Sequence, residues 1–121
     1  MGKSILVVDD DVVNLRLTEL VLNREGYETY TVKTGLDAIS FLREQKVDLI
    51  LLDITMPIMN GIKTLEAIRK HPDMATIPVM FLTASADADM VVEACRLEVV
   101  DYIIKPFLPP DLLARVGKVL R

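Results

Sequence analysis

Ile5-Leu6-Val7-Val8-Asp9-Asp10-Asp11 sets the reading of the chain: an unbroken apolar run that ends in three acids. A strand on a half-solvated sheet would alternate apolar and polar residues, whereas a continuous run suits a strand covered by helices on both faces of a parallel sheet. The pattern recurs. Leu49-Ile50-Leu51-Leu52 ends at Asp53, Val79-Met80-Phe81-Leu82 at Thr83, and Tyr102-Ile103-Ile104 at Lys105. If these runs are parallel strands of one sheet, their carboxyl ends share an edge, so acids, a hydroxyl and an ammonium distant in sequence converge there.

Longer stretches at helical spacing separate the runs. Leu15, Leu17, Leu20, Val21 and Leu22 mark a first helix, stopped near Gly26. Tyr27 to Val32 alternates as a second, more exposed strand, and Leu36, Ile39, Phe41 and Leu42 mark a helix ending before Val47. Beyond Asp53, Met56-Pro57-Ile58-Met59-Asn60-Gly61 carries turn residues. Ile62, Leu65, Ala67 and Ile68 then form a third helix closed by Pro72. Met90, Val91, Ala94 and Leu97 suit a fourth helix, and Pro109-Pro110-Asp111 opens a fifth with Leu112, Leu113, Val116, Val119 and Leu120. The fold expected is α/β: a doubly wound, five-stranded parallel sheet with five helices, in the order 2-1-3-4-5 that right-handed crossovers favour. Its topological switch lies between strands one and three, which end in Asp9/Asp10 and Asp53.

The 121 residues suit one domain, residues 1–121. With 51% hydrophobic and 26% charged residues the chain has the balance of a well-buried core, not of disorder. A net charge of -4 offers no footprint for a nucleic-acid backbone. No run reaches the about 20 apolar residues of a membrane span. Cys95, the single cysteine, has no disulfide partner within the chain and is expected to pack in its helix. A soluble, cytoplasmic protein follows as the expectation. His71, ahead of Pro72 at a helix end, reads as structural.

Converging carboxylates repel by roughly 3 kcal/mol per pair at about 5 Å and an effective dielectric of about 20, so something must offset them. Oxygen donors with no His or Cys cluster suit Mg2+. Carboxylates also attack phosphorus to give aspartyl phosphates. Asp53 stands alone at its strand end and is the candidate nucleophile. Asp10 is expected to hold Mg2+ directly and Asp9 mainly through water, with Asp53 and the Thr55 backbone carbonyl completing the protein ligands. Lys105 would neutralise charge beside a phosphoryl oxygen, Thr83 would donate its hydroxyl, and Asp11 would cap the first helix.

Leu6-Val7-Val8-Asp9-Asp10-Asp11, Leu51-Leu52-Asp53-Ile54-Thr55-Met56-Pro57 with Asn60-Gly61, Thr83-Ala84 and Tyr102-Ile103-Ile104-Lys105-Pro106-Phe107 together resemble receiver domains of two-component response regulators, which have a flavodoxin-like fold. The resemblance covers nearly the whole chain. It implies that Asp53 takes a phosphoryl group from a phosphohistidine on a sensor histidine kinase or a histidine phosphotransfer protein. It further implies that Asp9 and Asp10 are the Mg2+-binding pair, that Thr83 moves toward the phosphoryl group, and that the Tyr102 ring turns inward after it. Lys105 matches the phosphate-contacting lysine, and the Lys105-Pro106 bond is cis in relatives. Thr55 and Ser85 fall where relatives tune acyl-phosphate lifetime. The output surface implied is helix 4, strand 5 and helix 5, facing an unknown protein target or a second copy of the chain. Glu98-Val99-Val100 departs from the Gly-Ala usual before strand 5, where glycine permits a tight turn.

Other readings remain open at this point. A Mg2+-dependent aspartyl-phosphate phosphohydrolase shares the chemistry, but position 55 is Thr where an acid is needed. A constitutive binding module would not need the acids, Thr83 and Lys105. A flavin phosphate would be repelled by the acidic cluster. Tyr102 read alone could equally be a core aromatic. The sequence is compatible with a stand-alone receiver and with a piece of a longer regulator.

Overall fold

The computed structural model describes residues 2–84 and 87–121, along which strands and helices alternate. They are β1 (Ser4–Val8), α1 (Val12–Arg24), β2 (Glu28–Val32), α2 (Gly35–Glu44), β3 (Leu49–Leu52), α3 (Gly61–Lys70), β4 (Val79–Thr83), α4 (Ala88–Arg96), β5 (Asp101–Ile104) and α5 (Pro109–Leu120). The strands are parallel and ordered β2-β1-β3-β4-β5, as expected.

Successive side chains of a strand point to opposite faces, so each central strand supplies two cores. Leu6, Val8, Ile50, Leu52, Val79 and Phe81 pack with buried residues of α2, α3 and α4. Ile5, Val7, Leu49, Leu51, Met80 and Leu82 pack with those of α1 and α5. This double burial is why the interiors of β1, β3 and β4 carry no polar residue. The edge strand β2 is only partly buried.

Helix ends follow local chemistry. Asp11 caps α1, its Oδ1 accepting from Val13 N–H at 3.1 Å. At the other end Gly26 adopts φ +94°, with Gly26 N–H bonded to Asn23 O at 3.0 Å and Tyr27 N–H to Leu22 O at 3.2 Å. This paired termination uses the left-handed freedom of glycine. Helix α4 ends in the same way without the glycine: Glu98 adopts φ +60°, Glu98 N–H bonds Cys95 O at 3.1 Å and Val99 N–H bonds Ala94 O at 3.3 Å. A side chain in that conformation costs about 1 kcal/mol.

Two packing expectations need correction. Leu17 and Leu20 of α1 are 45% and 50% exposed, and the fully buried Thr18 takes the inward place, its hydroxyl bonded to Asn14 O at 2.8 Å. Cys95 is exposed, because Ala94 is the residue α4 buries and its neighbour lies about 100° around the helix. His71 is the C-cap of α3, and its Nδ1 accepts from Asp73 N–H at 3.3 Å. Among the described residues no helix is long and apolar enough to cross a membrane.

Candidate functional site

Main-chain hydrogen bonds carry the parallel ladder one residue past the strand ends. Asp9 N–H bonds Val32 O at 3.2 Å, Asp53 N–H bonds Val8 O at 3.0 Å, and Lys105 N–H bonds Thr83 O at 2.8 Å. The sheet backbone therefore fixes where these side chains begin. The Lys105 ammonium bridges two of them, 2.7 Å from Asp9 Oδ2 and 3.0 Å from Asp53 Oδ2. Asp9 and Asp53 are buried, Thr83 is fully buried, and Asp10 is exposed. Carboxylate oxygens of Asp9, Asp10 and Asp53 lie within 4.8 Å of one another. The predicted convergence of sequence-distant acids is met.

Burial is the strongest influence on Asp53 and pushes its carboxyl pKa up. Hydrogen bonds from Thr83 and Lys105 and the lysine charge pull it down, the Asp9 charge pushes it up, and the result stays above the ordinary value. Burial alone would pull the Lys105 ammonium down, but bonds and charges from Asp9 and Asp53 outweigh it and leave its pKa raised. Three carboxylates against one ammonium leave the pocket with two surplus negative charges. A divalent cation matches that surplus. A donor set of oxygens alone fits Mg2+, and the exposure of Asp10 suits an ion that keeps part of its water.

The β3–α3 loop closes tightly on Asp53. Thr55 N–H donates to Asp53 Oδ1 at 3.1 Å, which places the Thr55 backbone beside the acid. A Cβ on Gly61 would lie 2.2 Å from Asp53 O, so only glycine lets α3 begin against that peptide. Gly61 N–H bonds Ile54 O at 2.8 Å, and Asn60 caps α3 by accepting from Lys63 N–H at 2.9 Å. Ile58 adopts φ +68° with Met59 N–H bonded to Pro57 O at 2.7 Å, a strained γ-turn for a β-branched residue.

Tyr102 pairs in register with Phe81, and the rings meet edge to face at 5.9 Å and 67°. Thr83 lies two residues beyond Phe81, hence on the same face of β4. The half-buried Tyr102 and Thr83 are thus diagonal neighbours across two paired strands. The Lys105-Pro106 peptide is cis. Ser85 lies outside the described residues.

Asn14 and Arg69 are among the polar residues that escaped the sequence reading. Asn14 donates from Nδ2 to Asp9 Oδ2 at 2.8 Å. Its position three residues after the cap Asp11 was the available signal. Arg69 reaches main-chain carbonyls at the opposite edge of the sheet, and nothing in its local sequence distinguishes it from a solvated helix-end arginine.

A doubly wound sheet with an acid cluster at its carboxyl edge fits the class of a phosphoacceptor switch. The chain belongs to the response regulator receiver domain family, whose profile matches residues 5–117. It is 40% identical over 121 residues to the DNA-binding response regulator MtrA of Mycobacterium tuberculosis, covering 100% of this chain and 52% of that protein. The chain thus spans about half the length of the curated relatives it matches. Among solved structures it resembles chemotaxis protein CheY4 of Vibrio cholerae with a TM-score of 0.93 and 27% identity, covering 99% of this chain and 100% of that one. It also resembles the receiver domain of sensor histidine kinase PA1611 from Pseudomonas aeruginosa, solved with a magnesium ion coordinated in the active site cleft. There the TM-score is 0.90 and the identity 28%, covering 99% of this chain and 98% of that one. Receiver domains bind divalent metal at an acidic site, and response regulators interact with sensor histidine kinases.

Proposed function

We propose that residues 1–121 act as one cytoplasmic receiver domain in which Asp53 accepts a phosphoryl group from a phosphohistidine of a sensor histidine kinase or histidine phosphotransfer protein. The observation that carries this reading is the Lys105 ammonium bridging Asp9 and Asp53 in a pocket with surplus negative charge. A carboxylate oxygen of Asp53 attacks phosphorus, the P–N bond breaks, and its electron pair stays on the imidazole nitrogen. Mg2+, held by Asp10, Asp53 and the Thr55 carbonyl and through water by Asp9, would neutralise charge on the phosphoryl oxygens. Lys105 exchanges its bond to Asp53 for one to a phosphoryl oxygen, and the Thr83 hydroxyl donates to another. Movement of Thr83 vacates space on the face it shares with Tyr102, and that differential bonding biases a two-state equilibrium.

Exposed apolar side chains support docking at two places. Val13, Ile58 and Leu108 follow the ends of β1, β3 and β5 and so surround the pocket edge, where a donor must approach. Val92 and Ile104, both substantially exposed, lie on the α4–β5 side proposed to meet the downstream protein target or a second copy of the chain. Direct nucleic-acid binding forms no part of this proposal.

The test is phosphorylation by acetyl phosphate or a phosphohistidine donor with Mg2+, read by intact mass under conditions that preserve acyl phosphates. One phosphoryl group per chain is expected, abolished in Asp53→Asn. An unmodified parent, a variant that still gains the group, or steady turnover of phosphomonoesters would overturn the proposal.

A further inference from the structure

Asp9 is 2% exposed and accepts three hydrogen bonds. Asp11 N–H reaches Oδ1 at 2.9 Å, while Asn14 Nδ2 at 2.8 Å and Lys105 Nζ at 2.7 Å share Oδ2. Asn14 is the third residue of α1, counted after the cap Asp11. From that position a Glu or Gln side chain commonly turns back to the N–H of the capping residue. In this chain the task is divided: Asp9 takes the N–H of the cap, and the Asn14 amide takes Asp9. One carboxylate thereby ties the start of α1 to the end of β1, and Asp10 sits on the tied segment.

We propose that Asn14 is a positioning residue for cation binding, fixing Asp9 Oδ2 and, through it, the backbone that presents Asp10. The inference rests on reading the pocket as a Mg2+ site. Donors on both oxygens of Asp9 resist rotation of the carboxylate. Lys105 is shared with Asp53 and must change partners when Asp53 is modified. Asn14 serves Asp9 without being shared with Asp53, and being neutral it leaves the surplus negative charge intact. Without its amide, Oδ2 keeps only Lys105, the donor it shares with Asp53, so the carboxylate follows that ammonium or turns to water when the lysine changes partners. Partners that orient a metal site in this way typically govern affinity by about 10–100-fold.

Mg2+ titrations of the whole chain, followed by backbone amide shifts, test this in the parent, Asn14→Leu, Asn14→Ala and Asn14→Gln. Asn14→Leu and Asn14→Ala are expected to weaken binding by about tenfold. Asn14→Gln, whose longer amide can reach the same oxygen, is expected to recover most of the loss. Should Asn14→Leu fail to fold, Asn14→Ala, with its better helix propensity, carries the comparison. Metal-free melting temperatures are recorded alongside, because a purely structural role would lower them and leave the Mg2+ Kd unchanged. An unchanged Kd overturns the assignment, and so does Asn14→Gln binding as weakly as Asn14→Ala. A parent that binds no Mg2+ would instead sink the metal reading of the pocket, and Asn14's role with it.

Discussion

At the carboxyl edge of the sheet, Lys105 directs its ammonium to two carboxylates at 2.7 and 3.0 Å. At the amino edge, Arg69 from the last turn of α3 spreads its guanidinium over four main-chain carbonyls: Leu97 at 3.1 Å, Ala75 at 3.2 Å, Ile77 at 2.9 Å and Glu98 at 3.4 Å. Main-chain carbonyls are fixed dipoles that neither titrate near neutral pH nor accept a phosphoryl group. Carboxylates can be protonated, metallated or esterified. A planar guanidinium with five donors suits a permanent clamp, whereas an ammonium on a flexible stem suits a contact that must change partners. The same sheet thus keeps a fixed cation where the loops before β4 and β5 join and a transferable one where the chemistry is proposed.

The largest effect expected is from Lys105→Met, which leaves buried carboxylates without their cation and should lower metal-free stability by about 3 kcal/mol at neutral pH. The pH dependence follows from the ionisations. The Lys105 pKa is raised, so its pairs contribute fully below the ordinary lysine value and are lost as pH rises through the raised value. Asp53 is already raised by burial with the lysine present, and removing the lysine drives it further up. The deficit should therefore be greatest around neutral pH and shrink as the pH falls through the Asp53 pKa and its charge disappears. Urea unfolding across a pH series checks this, and a deficit independent of pH would contradict it.

Arg69→Met should cost less, about 2 kcal/mol, because partly exposed carbonyls left without a donor can regain water. Its deficit should stay flat across neutral pH, with Mg2+ affinity unchanged, and Arg69→Lys should recover little. A shift in Mg2+ affinity would mean that the two edges are coupled. The smallest effect is a gain: Glu98→Gly relieves the left-handed side chain, partly offset by glycine's greater chain freedom when unfolded, for about 0.5 kcal/mol. Thermal melting reads it directly, and a loss would show that the Glu98 side chain contributes more than its backbone conformation costs.

The same contrast explains what the sequence could reveal. Asp9, Asp53, Thr83 and Lys105 were legible because each follows an apolar run, and parallel strands bring such ends together whatever the connecting helices do. Right-handed crossovers left few possible sheet orders, and the favoured one, 2-1-3-4-5, is the order found. Arg69 was not legible, and Asn14 was marked only by its spacing from the cap Asp11, because their partners are set by side-chain reach across elements rather than by periodicity. Leu17, Leu20 and Cys95 were misplaced for a related reason: an apolar residue shows only that burial is tolerated, and the width of the buried stripe depends on how closely the helix meets the sheet. Glu98 was legible as a departure, and the structure adds that it makes the turn itself at φ +60°.

The ladder bonds that seat Asp9, Asp53 and Lys105 make the floor of the pocket a rigid plate of sheet backbone, while α4 and α5 hang from that plate by side-chain packing and loops. A recognition surface proposed on those helices can therefore drift or be exchanged by design without displacing the atoms proposed to react. One chemical unit could in this way be wired to many different listeners.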